Sequence, residues 1–305
     1  MTDHLRYRAA LHDGALVGLR NGALVLLATS MLALVVATPA VATPKGDFAV
    51  FAQCPLANPE VNLCFYVTST GGEFNIGSTK VPINKVLTLQ WGTIASEETG
   101  AEAFVDAANG ETLSKTPLTV PGGLFGVLAP EGLPKWLREA LGKFVSKGPA
   151  SVTATLELLA TPSSSRANLL FQEGIALTLP VRIHLSNPFL GSSCYIGSKV
   201  DPITLELKTG TTSPPPPNEP ITGKAGFIER PGDLEGDGQA TILEDELVEN
   251  AFSEPGASGC GGSLSPLIDP AVDARFHLPS AAGRNTVTIE DTFRLALATA
   301  VKNSE

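Results

Sequence analysis

Past residue 42 the side chains that could do chemistry are two histidines, four cysteines and a run of acidic residues. Nucleophilic catalysis would need a serine activated by a histidine and oriented by a carboxylate. His184 lies on the polar side of an alternating segment, near Thr178 and Arg182, and His277 closes Asp273-Ala274-Arg275-Phe276-His277. There is no G-x-S-x-G elbow, so nothing in the spacing asks for a triad. Glycoside cleavage would need two carboxylates in a cleft rimmed by aromatics, and aromatics are only 6% of the chain. No catalytic or cofactor-binding residue is assigned.

The sharpest motif is Asp233-Leu234-Glu235-Gly236-Asp237-Gly238-Gln239-Ala240-Thr241-Ile242-Leu243-Glu244. Asp233, Glu235, Asp237, Thr241 and Glu244 fall at the ligand positions of an EF-hand calcium loop, with Gly238 at the sharp turn. The spacing suits a hard cation, which takes about six to eight oxygens. Glu235 is a carbon too long, however, and Ala240 replaces the apolar residue that pairs such loops. Pro231-Gly232 leaves no entering helix, and Leu243, Leu247, Ala251 and Phe252 fit an exit helix or a strand equally. The favoured reading is a solvated acidic turn with no cofactor. A calcium-stabilised module is the alternative.

Cys54, Cys64, Cys194 and Cys260 contain no C-x-x-C and sit with only two histidines, which argues against zinc and for disulfides. Cys54 and Cys64 bracket a short loop bent by Pro55, Asn58 and Pro59, so these two are expected to pair, leaving Cys194 with Cys260.

The elements that must position these groups are mostly strands. Ile175, Leu177, Leu179, Val181, Ile183 and Leu185 alternate with polar residues or Pro180, a two-residue period that predicts one buried and one wet face. Pro180 cannot donate to a ladder, which predicts an edge or a bulge there. Residues 152–158 and 203–207 alternate in the same way. Residues 64–76 predict a hairpin turning at Gly71-Gly72, and residues 48–51, 86–91, 118–120 and 286–289 predict further short strands. Leu133, Trp136, Leu137, Ala140, Leu141, Phe144 and Val145 predict one amphipathic helix. The fold class expected is mainly β, with sandwich-like antiparallel sheets, one helix and disulfide staples.

The first 42 residues have the pattern of an export signal. Arg6, Arg8 and Arg20 precede an apolar run over residues 22–36, then Pro39 and Ala40-Val41-Ala42. The expectation is export by the general secretory route with cleavage after Ala42. Removing residues 1–42 leaves a net charge of −11, against −10 for the whole chain. An acidic exterior makes nucleic acid and anionic membrane poor partners and leaves a cell-envelope component as the open possibility. The four prolines 214–217 mark an exposed connection. The expected organisation is therefore a signal peptide (1–42), a β-rich region with the helix (43–212), a Pro-rich connection (213–220) and a smaller C-terminal region packed on the first (221–305).

The passages Asn187-Pro188-Phe189-Leu190-Gly191-Ser192-Ser193-Cys194-Tyr195-Ile196-Gly197 and Asn250-Ala251-Phe252-Ser253-Glu254-Pro255-Gly256-Ala257-Ser258-Gly259-Cys260-Gly261 resemble stretches of uncharacterised secreted proteins of actinobacteria. So does Lys45-Gly46-Asp47-Phe48-Ala49-Val50-Phe51, and the likeness covers most of the chain after residue 42. It implies a cell type and export. That group carries no known activity, so it supplies no catalytic residues, and the acidic loop lies outside the shared passages. The function expected is a secreted, non-catalytic extracellular or cell-surface binding or structural protein. The alternatives are a secreted hydrolase and the calcium-stabilised module.

Overall fold

The structure, a computed structural model, describes residues 43–95, 102–128, 148–165, 168–169, 172–228 and 238–305. The signal segment, the amphipathic stretch 133–145 and Asp233, Glu235 and Asp237 lie outside the described residues.

A 3-10 turn at Gly46–Phe51 leads into β1 (Leu63–Ile76), β2 (Thr79–Pro82), β3 (Leu87–Ala95), β4 (Glu102–Asp106) and β5 (Leu118–Thr119). A short helix, α1 (Gly123–Leu128), precedes β6 (Thr153–Leu158), β7 (Ser163–Ser164), β8 (Gly174–Ser186), β9 (Tyr195–Ile196) and β10 (Ile203–Thr211). The chain continues through β11 (Thr222–Gly223), β12 (Phe227–Ile228), β13 (Gln239–Glu249) and β14 (Ala257–Ser258). It ends with α2 (Ser265–Phe276), β15 (Val287–Leu297) and α3 (Ala298–Asn303).

The mainly β class holds, with the strands joined in one antiparallel sheet that curls on itself. Its central order is β8-β10-β13-β15-β1-β3-β4, and β6 continues it beyond β8. The far edges approach each other, β4 near β7 and β2 near β5. Both walls of the core therefore belong to one sheet. Strands from either side of the Pro-rich connection alternate in it: β13 and β15 lie between β10 and β1.

The period-two faces decide what lies inside. Leu63, Phe65 and Val67 of β1, Leu177, Leu179 and Val181 of β8, and Leu205 and Leu207 of β10 line a common interior. Phe65 stacks on Trp91 at 4.6 Å between ring centroids, and Trp91 on Phe104 at 5.3 Å. The opposite face of β1 carries Cys64, in a second cluster with Phe51, Val61, Ala298 and Val301. Disulfides join Cys54 to Cys64 and Cys194 to Cys260.

Three local readings are corrected. Gly71-Gly72 is not a hairpin turn, because β15 is long enough to pair with both halves of β1, from Leu63↔Leu297 to Phe74↔Val287. The ladder absorbs the glycines as an irregularity between Ser69 and Gly71, and the chain turns at Gly77 instead. Gly72 has φ +101°, and a Cβ on it would lie 2.0 Å from the Thr288 carbonyl oxygen. Residues 48–51 form the 3-10 turn and not a strand. β3 and β15 already occupy both edges of β1 there, so the apolar run wraps over the outer cluster. Pro180 is inside the sheet, paired with Thr204, and not on its edge. Its carbonyl accepts Leu159 N–H, so its ring nitrogen faces the side where the neighbour of β8 changes from β6 to β7. The missing N–H therefore costs β8 no bond to β10.

Candidate functional site

The core face of β15 reads Val287, Ile289, Asp291, Phe293, Leu295, an apolar stripe interrupted by one carboxylate. Asp291 pairs with Ser69 of β1 on one side and with Asp245 of β13 on the other. Directly paired residues project to the same face of a sheet, so the three form a polar row across three strands. All are buried, at 8%, 6% and 1% exposure for Ser69, Asp291 and Asp245. The Ser69 hydroxyl donates to Asp291 Oδ1, and the Gly226 N–H donates to Asp245 Oδ1 at 3.2 Å. Asp245 Oδ2 has no hydrogen-bond partner among the described residues.

Burial pushes Asp291 up to about 7; the Ser69 hydroxyl opposes the rise and the neighbouring Asp245 charge adds to it. Burial raises Asp245 to about 7 as well, against the pull of the Gly226 N–H. Two interacting acids of this kind lose their protons as a pair. The row faces an interior cavity of about 40 Å³, walled by Ser69, Asp291 and aliphatic side chains such as Leu87, Leu156 and Leu205. That volume is of the order of one water molecule. The pair has the chemistry of a general acid and base, and the cavity described beside Asp291 is of that small size.

The histidines are held elsewhere. His184 sits on the outer face of β8, stacked on Tyr195 at 4.7 Å, with Nδ1 3.7 Å from Glu157 Oε1. Arg182 shares that face, donating twice to Glu157 Oε2 at 2.9 and 2.7 Å and covering the Tyr195 ring at 3.8 Å. No serine enters this cluster among the described residues. His277 caps the end of α2 with φ 60°, and its Nδ1 lies 2.9 Å from Ser78 Oγ. The nearest match to a triad adds Glu254, but Glu254 Oε2 accepts the Gly77 N–H. The described contacts place Ser78 beside His277 and Glu254 on the neighbouring Gly77 amide. Glu254 is almost fully buried, and burial pushes it up to about 8.

Where the sheet edges meet, a polar groove of about 510 Å³ runs between residues 106–115 and 157–161. Asp106 closes its floor, accepting the Thr112 hydroxyl at 3.0 Å and the Thr161 hydroxyl at 2.8 Å. Glu111, Glu157 and Lys115 also line it.

Of the acidic loop, residues 239–244 are described as backbone. Thr241 and Glu244 belong to β13, where a calcium loop of the EF-hand type would give way to a helix. No group of three or more metal-ligating side chains occurs among the described residues. Asp245, Asp291 and Glu254 were not singled out from the sequence. The signal was present in β15, whose alternation continues past Ile289 through Asp291 to Leu295. Compared with family models, curated proteins and solved structures, the chain has no match.

Proposed function

We propose that this chain is an exported, non-catalytic binding or structural protein of the cell exterior, of actinobacterial type, released by cleavage after Ala42. The single observation that carries this reading is the interior of the curled sheet. Among the described residues the cavity inside it is about 40 Å³, while the larger groove opens at the outer surface. The two disulfides suit an oxidising compartment, and no helix among the described residues is long and apolar enough to cross a membrane. The surface we assign to binding is the groove between the sheet edges, whose size is that of a small-molecule site. Asp106, Glu111 and Glu157 outnumber Lys115 there, which favours a cationic or hydroxyl-rich envelope component.

The test is co-sedimentation of the purified protein with isolated cell envelopes. Retention that drops several-fold in Glu111→Gln is the expected result. Turnover of ester or glycoside substrates that disappears in Ser78→Ala would replace this reading with the hydrolase. N-terminal sequencing of the exported protein should begin at Thr43.

A further inference from the structure

We propose that the groove is a strand-addition site, in which an extended peptide of alternating basic and apolar side chains pairs through its main chain with both edges of the curled sheet. This rests on the groove being the binding surface, and it names the chemistry of what binds there.

The two edges are the ends of the strand order, β4 at one end and β6 at the other. Past β4, residues 112–114 carry on the first edge. Gln90 N–H donates to the Thr112 carbonyl and Ser114 N–H to the Thr88 carbonyl, both at 2.8 Å, around the bridge Leu89↔Leu113. Thr112 and Ser114 thus turn backbone groups toward β3. Leu113, between them, turns its N–H and C=O the other way, toward the groove it lines.

β6 mirrors this arrangement. Leu159 N–H donates to the Pro180 carbonyl at 2.9 Å, and two residues earlier Glu157 pairs with Arg182. Residues of that parity face β8, so Leu156 and Leu158 present their N–H and C=O to the opposite edge. β5 covers that edge only at Thr153 and Ala154. Among the described residues nothing bonds to the backbone groups that Leu113, Leu156 and Leu158 turn outward. Leu113 and Leu158 line the same groove, and Thr161 reaches across one end of it to Asp106 at 2.8 Å. An edge with unused donors and acceptors is the surface on which an added strand pairs, and here two such edges share one gap.

The side chains set the kind of peptide. Leu113, Leu156 and Leu158 are half-buried and pack on the core, so the interior is incompletely covered along the gap. Leu113 and Leu156 also wall the interior cavity. Inward side chains of an added strand would complete that cover if they were apolar. Outward side chains would meet Glu157 on the wet face of β6 and Glu111 at the rim, with Lys115 the one cation among the described lining residues. A strand alternates its faces at every residue, which gives the alternating basic and apolar pattern.

The probe is a short blocked peptide of alternating lysine and valine, titrated into the exported protein and followed by NMR. The amides of Leu113, Leu156 and Leu158 should gain protection from exchange by about tenfold or more. Those of Ser114 and Leu159, already bonded within the sheet, should change little. A strand offers alternate N–H groups to opposite edges, so methylating the valine nitrogens or the lysine nitrogens should each weaken binding about tenfold or more. Glutamate in place of lysine should weaken it comparably. Leu113→Pro, which removes the N–H facing the groove and spares the bonds of Thr112 and Ser114, should weaken it several-fold.

No binding, binding that leaves the three amides unprotected, or equal affinity for the methylated or glutamate peptides would each overturn strand addition. So would protection that rises with protein concentration alone, which would make the occupant a second copy. If the peptide fails while Glu111→Gln still lowers envelope retention, strand addition falls and the groove reading stands. If the peptide protects the three amides and Glu111→Gln leaves retention unchanged, the envelope reading falls instead. Should Leu113→Pro fail to fold, the methylated peptides decide.

Discussion

At the scale of single residues, the buried acids Asp245, Asp291 and Glu254 have no cation beside them among the described residues. Glu254 is 1% exposed, accepts one bond from Gly77, and leaves Oε1 unpartnered among the described residues. Its ordinary value is 4.5 and burial takes it to about 8, so the folded chain holds a proton across that interval. Urea titrations should therefore show stability falling as pH rises through it. Glu254→Gln should remove that share of the fall and be the more stable form above about pH 8, by a few kcal/mol. The acidic loop gives the contrasting case. Its carboxylates read as solvated, so thermal melts with millimolar calcium and with chelator should nearly coincide, and Asp233→Ala should be close to neutral. A bound ion at a hundredfold excess over Kd would add about 2.7 kcal/mol, which the melts would register as a clear upshift.

At the scale of elements, the sheet depends on two devices, the irregularity in β1 and the closure at its edges. Gly72→Ala would force a side chain into a positive φ and into the Thr288 carbonyl, at a cost of roughly 3 kcal/mol or more in a denaturant titration. Asp106→Ala removes the acceptor of both Thr112 and Thr161 and should cost about 1–2 kcal/mol, with faster amide exchange at Ser163–Ser164. The same two devices show what could be read from the sequence. Strand periodicity in β6, β8 and β10 was legible because each alternation is local. The cysteine pairs followed from one short, proline-bent loop. The Gly71-Gly72 irregularity was not legible, because a glycine pair reads as a turn until the length of β15, over two hundred residues on, is known. Asp291 escaped for a related reason. A carboxylate ending an apolar alternation looks like the end of the strand, and only its pairing with Ser69 and Asp245 shows that the strand continues through it.

At the scale of the whole molecule, the disulfides and the interior acids act on different states. Cross-links restrict the unfolded chain; raised acids make the folded one pH-dependent. Opening Cys194–Cys260, which closes 66 residues, should cost about 4 kcal/mol, and opening Cys54–Cys64, which closes 10, about 3 kcal/mol. Melts of the Cys194→Ser/Cys260→Ser and Cys54→Ser/Cys64→Ser double variants would show both losses, the first the larger.

The adjacency of β1 and β15 has a consequence in time. The first long strand is completed by the last, and Ser69 meets Asp291 across 222 positions of sequence. Contacts that distant form late, because the intervening chain must be gathered before they return any stability. A ribosome still adding residues 287–297 holds a chain whose first strand lacks a partner along one edge. That edge of β1 is paired only once residues 287–297 have been made, whatever order the other strands take.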